Sequence, residues 1–250
     1  MTAPALELIG LKKNFGPAEI IRGVDLAIPR AGRHAIIGPD GGGDSPLFNL
    51  ISGLIPLSAG EIRLNGETVS GKPAFEINRR GLSRSFQVTN IFPAMSVFEN
   101  VRCAVLWAKG ERYAFWRAVA GNKQVAQRAE EVLSAINLQA RRDILAGVLT
   151  YAEQRALEIG ITMAGGANVI LLDEPTAGMS KAETERAVEL IRRISEGRTL
   201  VIVEHDMSVV FGLADRISVL VYGEIIATGT PAGIRASRQV RDAYLGEEVH

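Results

Sequence analysis

The amino-acid sequence predicts an α/β fold whose core is interrupted by a helical insertion. An apolar strand at His34–Ile37 leads into a glycine-rich loop and a helix, and Val169–Leu172 is almost wholly apolar, as expected of a buried parallel strand. Between Ser96 and about Gly165 the apolar residues recur at helical spacing instead. The clearest helical set consists of Val125, Ala129, Val132, Leu133 and Ile136. Because the α/β pattern returns after this segment, we predict one core with helices inserted into it.

The elements of the core follow in chain order. Residues 5–35 contain short apolar runs separated by turns at Gly16-Pro17 and Ala31-Gly32, which predicts a set of N-terminal strands. Residues 60–66 predict a further strand that ends in an Asn-Gly turn. The strands, helices and helical tail predicted after Gly165 lie near residues 169–172, 181–195, 200–203, 207–213, 217–221, 225–227 and 231–250.

Composition restricts the class of protein. The chain has 250 residues, with 28 basic and 28 acidic side chains, so its charge balance favours no nucleic-acid partner. A single cysteine, Cys103, excludes an intramolecular disulfide framework and fits a reducing compartment. The first residues lack the apolar region of a signal peptide, and no run reaches the roughly 18 apolar residues of a membrane span. We therefore expect a cytoplasmic protein, unless a partner holds it at a membrane.

The strand, loop and helix between Ile36 and Asn49 fit a phosphate-binding loop. That loop follows the pattern G-x-x-x-x-G-K-[ST], in which backbone N–H groups surround the phosphates and the hydroxyl ligates magnesium. Gly38, Gly43 and Ser45 occupy the two glycine positions and the hydroxyl position, whereas Asp44 stands in place of the lysine. The alternative is a flexible glycine-rich turn that binds nothing.

Asp44 changes the electrostatics expected of such a loop. A lysine would attract the terminal phosphates by roughly 4 kcal/mol at 4 Å and an effective dielectric constant of 20. Asp44 removes this attraction and adds a repulsion, which lowers affinity by about two decades or more at roughly 1.4 kcal/mol per decade. Pro46 is less disruptive, because proline is tolerated in the first turn of a helix. Besides an impaired phosphate-binding loop and a glycine-rich turn that binds nothing, there is a third interpretation: Asp44 turns toward Mg²⁺ and supplies an oxygen ligand.

Two further segments carry candidate catalytic residues. The apolar strand that precedes Pro175 delivers Asp173 and Glu174 at its carboxyl end, where a P-loop enzyme holds Mg²⁺ and polarises water. The alternative is a solvated Asp-Glu turn. His205 follows a strand end, which is where α/β active sites collect, although a lone histidine is usually structural.

The segment from Leu149 to Arg155 begins a helix. Thr150 is placed to cap it, and Glu153 three residues later completes a capping box. The N-terminus of a helix is an anion site, although an ordinary capped helix has the same pattern. Gln87 lies where the first α/β part gives way to the helical segment, and by itself it indicates little.

In order and spacing, these motifs resemble those of the nucleotide-binding domain of ABC transporters. Phe15 matches the aromatic A-loop, residues 38–45 match Walker A, Gln87 the Q-loop and residues 149–155 the signature motif. Asp173-Glu174 matches Walker B with its catalytic glutamate, and His205 matches the switch histidine. Finer features resemble the branched-chain amino-acid importer subgroup, at residues 48–54, 84–87, 150–155, 177–179, 229–231 and 243–246.

The resemblance implies an α/β P-loop NTPase core with N-terminal antiparallel β strands and an inserted helical subdomain. One nucleotide-binding domain would span residues 5–250. Its catalytic core would comprise residues 5–88 and 166–230, with the helical signature-motif subdomain at 89–165 and a C-terminal helical tail at 231–250.

The resemblance also implies ATP and Mg²⁺ as cofactors, bound in two sites between two such domains. The catalytic positions are Glu174, as base toward water, and His205, at the γ-phosphate. The metal positions are Ser45, Gln87 and Asp173. The nucleotide-binding positions are Phe15, Gly38, Gly41, Gly43, Asp44, Ser45, Pro46 and Gln87, with Thr150, Ala152, Glu153 and Gln154 serving the partner's site.

The departures from the family pattern modify this expectation. Asp44 affects the chain's own site, and Ala152 adds a methyl group where glycine lets backbone approach phosphate. We expect an ATP-binding subunit of an importer for branched-chain amino acids or related small solutes, with weak or absent ATPase activity. The alternative is a catalytically silent structural subunit that does not bind ATP productively.

The partners implied are a second ATP-binding subunit, transmembrane permease subunits and a solute-binding protein outside the membrane. Since two impaired sites would leave little turnover, a heterodimer is favoured. Such a subunit would lie in the cytoplasm, peripheral to the inner face of the cell membrane.

Overall fold

The structure of the chain, a computed structural model, describes residues 3–39, 42–85, 90–108 and 123–245. The strands are β1 (Leu6–Phe15), β2 (Ala18–Ile28), β3 (Arg33–Ile37), β4 (Ala59–Leu64), β5 (Glu67–Thr68), β6 (Leu82–Arg84), β7 (Val169–Asp173), β8 (Thr199–Val203), β9 (Arg216–Val221) and β10 (Glu224–Gly229). The helices are α1 (Asp44–Ile51), α2 (Ala74–Arg79), α3 (Val97–Ala108), α4 (Lys123–Ala135), α5 (Tyr151–Ala164), α6 (Lys181–Ile194), α7 (Met207–Leu213), α8 (Pro231–Ala236) and α9 (Arg238–Leu245).

The chain divides into two compact units. Unit 1 comprises Met1–Leu82, Asn168–Glu174 and Ser195–His250, and unit 2 comprises Ser83–Ala167 and Pro175–Ile194. The subdomain boundaries expected from the sequence stay a prediction.

The N-terminal strands of unit 1 form a four-stranded antiparallel sheet in the order β2-β1-β4-β5. The apolar alternation of β1 is imperfect because its pairing register shifts between Leu8 and Leu11. Gly10 lies at this irregularity with a φ of 54°, a left-handed conformation that glycine adopts without a Cβ clash. Its N–H donates to Asp25 Oδ1 at 2.7 Å, so the bulge is held by a side chain. The predicted antiparallel N-terminal strands are confirmed.

The second sheet has six strands in the order β10-β9-β3-β8-β7-β6. Strand β3 runs parallel to both β8 and β9, and β7 runs parallel to β8, whereas β10 is antiparallel to β9. Every residue of β7 and β8 is buried, which explains why these segments are apolar without alternation. The α/β core predicted from these apolar runs is confirmed.

Helix α1 closes the core of unit 1. Its apolar residues Leu47, Phe48, Leu50 and Ile51 are buried in one cluster with side chains from the strands of both sheets, including Leu8, Ile36 and Val201. Burial at helical spacing therefore fixes the face of α1 that turns inward.

Unit 2 is helical. Helices α3, α4 and α5 pack against each other, and α5 also contacts α6. The residues expected to form one helix face, Val125, Ala129, Val132, Leu133 and Ile136, are all buried. At Gly160 in α5 an added Cβ would lie 2.7 Å from Ile136 Cδ1, so a glycine permits this close helix packing. Among the helices that the structure describes, none is both long and apolar enough to cross a membrane.

A histidine is buried in β3, the strand that leads to the glycine loop. His34 is 2% exposed, and its Nε2 lies 2.8 Å from Ser218 Oγ. Ser218 Oγ in turn lies 2.7 Å from Thr228 Oγ1. Burial, with a contribution from the charge of Arg216, lowers the pKa of His34 from 6.5 to about 4. The imidazole is therefore held neutral in the folded chain.

This pKa predicts a loss of stability in acid. The unfolded chain binds a proton at His34 as the pH falls through 6.5, whereas the folded chain binds it only near pH 4. Between about pH 7.5 and about pH 5 the free energy of unfolding should fall by about 2 kcal/mol through this residue. Urea unfolding at the two pH values measures the loss. His34→Gln, which cannot titrate, should reduce it by that amount, and an unchanged loss in this variant would contradict the prediction.

Candidate phosphate-binding site

The candidate site lies at one edge of the six-stranded sheet in unit 1. Ile36 in β3 pairs with Val203 in β8, and Asp173 in β7 pairs with the same Val203. Because these strands are parallel, their carboxyl ends meet at this edge. The glycine loop, Asp173-Glu174 and the Glu204-His205 segment therefore emerge side by side.

Glycine is required in the loop because neighbouring backbone lies too close to leave room for a Cβ atom. A Cβ at Gly38 would lie 2.2 Å from Leu220 O, and a Cβ at Gly42 would lie 2.9 Å from Pro39 O. The Gly42 N–H donates to Pro39 O at 2.8 Å, and the Gly223 N–H donates to Gly42 O at 3.1 Å. The described ends of the loop are thus packed against β9 and the turn that follows it. The predicted binding residue Gly41 lies outside the described residues.

Helix α1 starts directly after the loop. Gly43 is its N-cap, with a φ of 105°, and Asp44, Ser45 and Pro46 form the first turn. The proline therefore stands where its missing N–H breaks no helical hydrogen bond. The Asp44 carboxylate accepts the Ser45 N–H through Oδ1 at 2.8 Å and is favourably placed for the helix dipole.

Three predicted site residues meet around one imidazole nitrogen. His205 Nε2 lies 3.4 Å from Glu174 Oε1 and 3.7 Å from Asp44 Oδ2. Asp44 is only 7% exposed, so its charge is largely shielded from bulk water. The residue at the lysine position therefore faces the candidate catalytic pair. The sequence predicted all three as site residues but gave no sign of this contact.

Walker B strand β7 ends in an unusual backbone conformation. Asp173 is buried, and Glu174 follows it with a φ of 44°. The Glu174 N–H donates to Val203 O at 3.0 Å, which holds this conformation. A non-glycine residue in the left-handed region costs on the order of 1–3 kcal/mol, and such residues cluster at functional sites. Nothing in the residue types signals it.

Phe15 stands at the end of β1 with half of its surface exposed. Lys13 Nζ lies 4.6 Å from the centroid of its ring and donates to Pro56 O at 2.7 Å. The ammonium therefore makes a cation–π contact while its charge is satisfied by a carbonyl. Sequence reasoning missed Lys13, although residues two apart on a strand share a face.

The signature segment lies in unit 2, where it starts α5. Thr150 Oγ1 accepts the Glu153 N–H at 3.3 Å, and Glu153 Oε2 accepts the Thr150 N–H at 2.9 Å, so the predicted capping box is confirmed. The hydrogen bond from the Thr150 N–H, aided by Arg141, lowers the pKa of the Glu153 carboxyl. Ala152 follows in the first turn, and Gln154 Nε2 donates to Leu149 O at 3.1 Å.

Comparison with known proteins identifies the family. The sequence profile described as ABC transporter matches residues 21–177, and one described as Branched-chain amino acid ATP-binding cassette transporter matches residues 224–250. The chain belongs to the ABC transporter family. It is 34% identical to the high-affinity branched-chain amino acid transport ATP-binding protein BraF of Pseudomonas aeruginosa over 257 residues, covering 99% of this chain and 100% of that protein.

Other ABC relatives are similar over different lengths. The branched-chain amino acid transport ATP-binding protein LivG of Escherichia coli is also 34% identical, over 99% of this chain and 100% of its own. The ribose import ATP-binding protein RbsA of Yersinia pestis is 30% identical, over 95% of this chain and 46% of its own.

Solved ABC structures confirm the predicted P-loop NTPase fold. A nucleotide-free ATP-binding cassette from an ABC transporter has a TM-score of 0.83 and 23% identity, covering 98% of this chain and 99% of that chain. The ADP conformation of another ATP-binding cassette has a TM-score of 0.85 and 23% identity, covering 98% and 100%.

The described residues meet only part of what ATP binding in an ABC nucleotide site requires. Gly42 and Gly43 leave the start of α1 without bulky side chains, as close approach of a phosphate requires, and a hydroxyl at Ser45 with a carboxylate at Asp173 is a donor set that suits Mg²⁺. Asp44 does not fit, because a second anion would have to lie beside its shielded carboxylate. Gln87 lies outside the described residues, so its predicted role stays a prediction.

The close packing of the loop predicts that Gly38→Ala destabilises the chain. The added methyl group meets the Leu220 carbonyl oxygen at 2.2 Å, so backbone must move. We expect a loss of about 1–3 kcal/mol in the free energy of unfolding, measured with urea. Gly212→Ala in α7 is the control, because its Cβ meets nothing within 4 Å. A helical glycine-to-alanine change should gain about 1 kcal/mol, so equal effects at both positions would contradict the packing argument.

Proposed function

We propose that the chain is the ATP-binding subunit of an ABC importer for branched-chain amino acids or related small solutes. The observation that carries this proposal is the full-length similarity to proteins named for branched-chain amino acid transport. The match of residues 224–250 to a branched-chain profile adds independent support, because it lies outside the general ABC match.

The chain's own nucleotide site is impaired by Asp44. In other P-loops a lysine here cradles the β- and γ-phosphates, whereas this carboxylate repels them. Its 7% exposure supports the proposal, because solvent screens a shielded charge less than an exposed one. The position beside Glu174 and His205 puts the charge where the terminal phosphate would be handled.

The remaining site residues keep the roles expected from the family. Phe15 would stack on the base, Ser45, Gln87 and Asp173 would serve Mg²⁺, and Glu174 with His205 would face the terminal phosphate. The signature residues Thr150, Ala152, Glu153 and Gln154 would complete the site of a partner subunit. The subdomains at 5–88 with 166–230, at 89–165 and at 231–250 belong to the same proposal.

The working assembly is a heterodimer with a second ATP-binding subunit. Asp44 affects the chain's own site and Ala152 the partner's, so a homodimer would carry two impaired sites. Permease subunits would hold the pair at the inner face of the membrane, and a solute-binding protein would deliver the solute. The alternative, a silent subunit without productive ATP binding, is favoured by the contact between Asp44 and His205.

Transport is tested by deleting the gene in its host and measuring uptake of labelled leucine, isoleucine and valine. Uptake of at least one should be lost and then restored by the native gene. The Glu174→Gln variant distinguishes a hydrolysing subunit from a silent one. If the chain hydrolyses ATP, the variant gene should fail to restore uptake, whereas it should still restore uptake if the chain is silent. Unchanged uptake of all three after deletion, with no other small solute affected, would refute the importer proposal.

Impairment of the site is tested by Mg-ATP calorimetry of the purified chain. The double variant Asp44→Lys, Pro46→Thr should bind about a hundredfold or more tightly than the native chain, since it exchanges a repulsion for an attraction. Glu196→Lys, which makes the same charge change at an exposed turn, controls for net charge. Equal affinity of the native chain and the double variant would show that Asp44 does not impair the site.

A further inference from the structure

The anion position at the start of α1 is filled by the chain itself. The Ser45 N–H, one of the donors that a P-loop presents to phosphate, is bound to Asp44 Oδ1 at 2.8 Å. The carboxylate lies in the first turn of the helix, where negative charge is stabilised, and it is 7% exposed. It therefore already makes the kind of contact that a bound phosphate oxygen would make.

The second carboxylate oxygen points to the catalytic side of the loop. Asp44 Oδ2 lies 3.7 Å from His205 Nε2, and the same nitrogen lies 3.4 Å from Glu174 Oε1. Asp44, His205 and Glu174 thus form one bridge between the segments that follow β3, β8 and β7. A residue directly after the second glycine of a P-loop reaches the β- and γ-phosphates, so this bridge crosses the terminal-phosphate position.

We propose that Asp44 is a specificity-determining residue: it stands in for the terminal phosphate and makes the site prefer ADP to ATP. This inference rests on the proposed nucleotide site. ATP must displace the Asp44–His205–Glu174 bridge and put its γ-phosphate beside a shielded carboxylate. ADP lacks that phosphate, so it meets the Asp44 carboxylate only through its β-phosphate and leaves the contact of Asp44 with His205 in place.

The bridge also gives Glu174 and His205 a role that needs no hydrolysis. His205 faces both carboxylates, so it joins the loop to the end of β7 when no terminal phosphate is present. A chain that cannot hydrolyse ATP would still use His205 and a side-chain oxygen at position 174 beside Asp44, and Glu174→Gln keeps such an oxygen. This accounts for the presence of a catalytic glutamate and a switch histidine beside a Walker A motif without lysine.

Calorimetry with Mg-ADP and Mg-ATP tests the preference, with the ratio of the two affinities as the readout. The native chain should bind ADP about tenfold or more tightly than ATP. Asp44→Asn keeps the size and an acceptor oxygen but removes the charge, so ATP affinity should rise about tenfold while ADP affinity changes less than about threefold. Glu196→Gln removes a negative charge from an exposed residue away from the loop, so it should leave the native ratio of ADP affinity to ATP affinity unchanged.

The outcomes separate this inference from the proposed function. If Asp44→Asn raises the affinities for ATP and ADP equally, Asp44 does not stand in for the terminal phosphate, and this inference is overturned. The proposal that Asp44 impairs the site by repelling any nucleotide would still hold. A native chain that binds ATP at least as tightly as ADP would also overturn it, without using any variant. If the native chain binds neither nucleotide measurably, Asp44→Asn decides: ATP and ADP affinities within about threefold of each other support the inference. An ADP preference of about tenfold or more in this variant, or no measurable binding of either nucleotide, overturns it.

Discussion

The parallel pairing of β3 with β8 and β9 is the constraint on which the site depends. It brings the ends of three strands to one edge and presses the glycine loop against the backbone at Leu220. Gly38 is needed for that packing, because a Cβ there would lie 2.2 Å from the Leu220 carbonyl oxygen. The described packing of the loop therefore involves backbone, and Asp44 adds a buried carboxylate at the start of α1.

The strain at Glu174 and the shielded charge of Asp44 are both costs that neighbouring groups offset. A hydrogen bond to Val203 O holds the positive φ of Glu174, and the Ser45 N–H with the helix dipole stabilises the carboxylate. Both features lie at the ends of buried strands, where rigid neighbours restrict relaxation. At this site the surrounding fold therefore overrides the backbone preference of Glu174 and the preference of the Asp44 charge for water.

Sequence reasoning succeeded wherever the signal was local. Apolar runs located the buried strands β7 and β8, helical spacing gave the buried face of α4, and the Thr150–Glu153 spacing gave the capping box, whereas the short strands β5 and β6 were not predicted. It failed where the decisive contact joins distant segments. The meeting of Asp44 with His205 depends on the register of the parallel strands, which residue type and spacing do not give. The cation–π contact of Lys13 with Phe15 is local, and the spacing of two residues along β1 was a signal that could have indicated it.

The hydrogen bond from Tyr151 Oη to Ala177 O, at 3.0 Å, ties the first residue of α5 to the segment that follows Walker B. That segment passes through Gly178, whose φ of 75° places its backbone against the tyrosine ring. Within unit 2, the start of the signature helix and the chain around Ala177 are therefore held together by a side-chain contact, so a substitution at Tyr151 would loosen both.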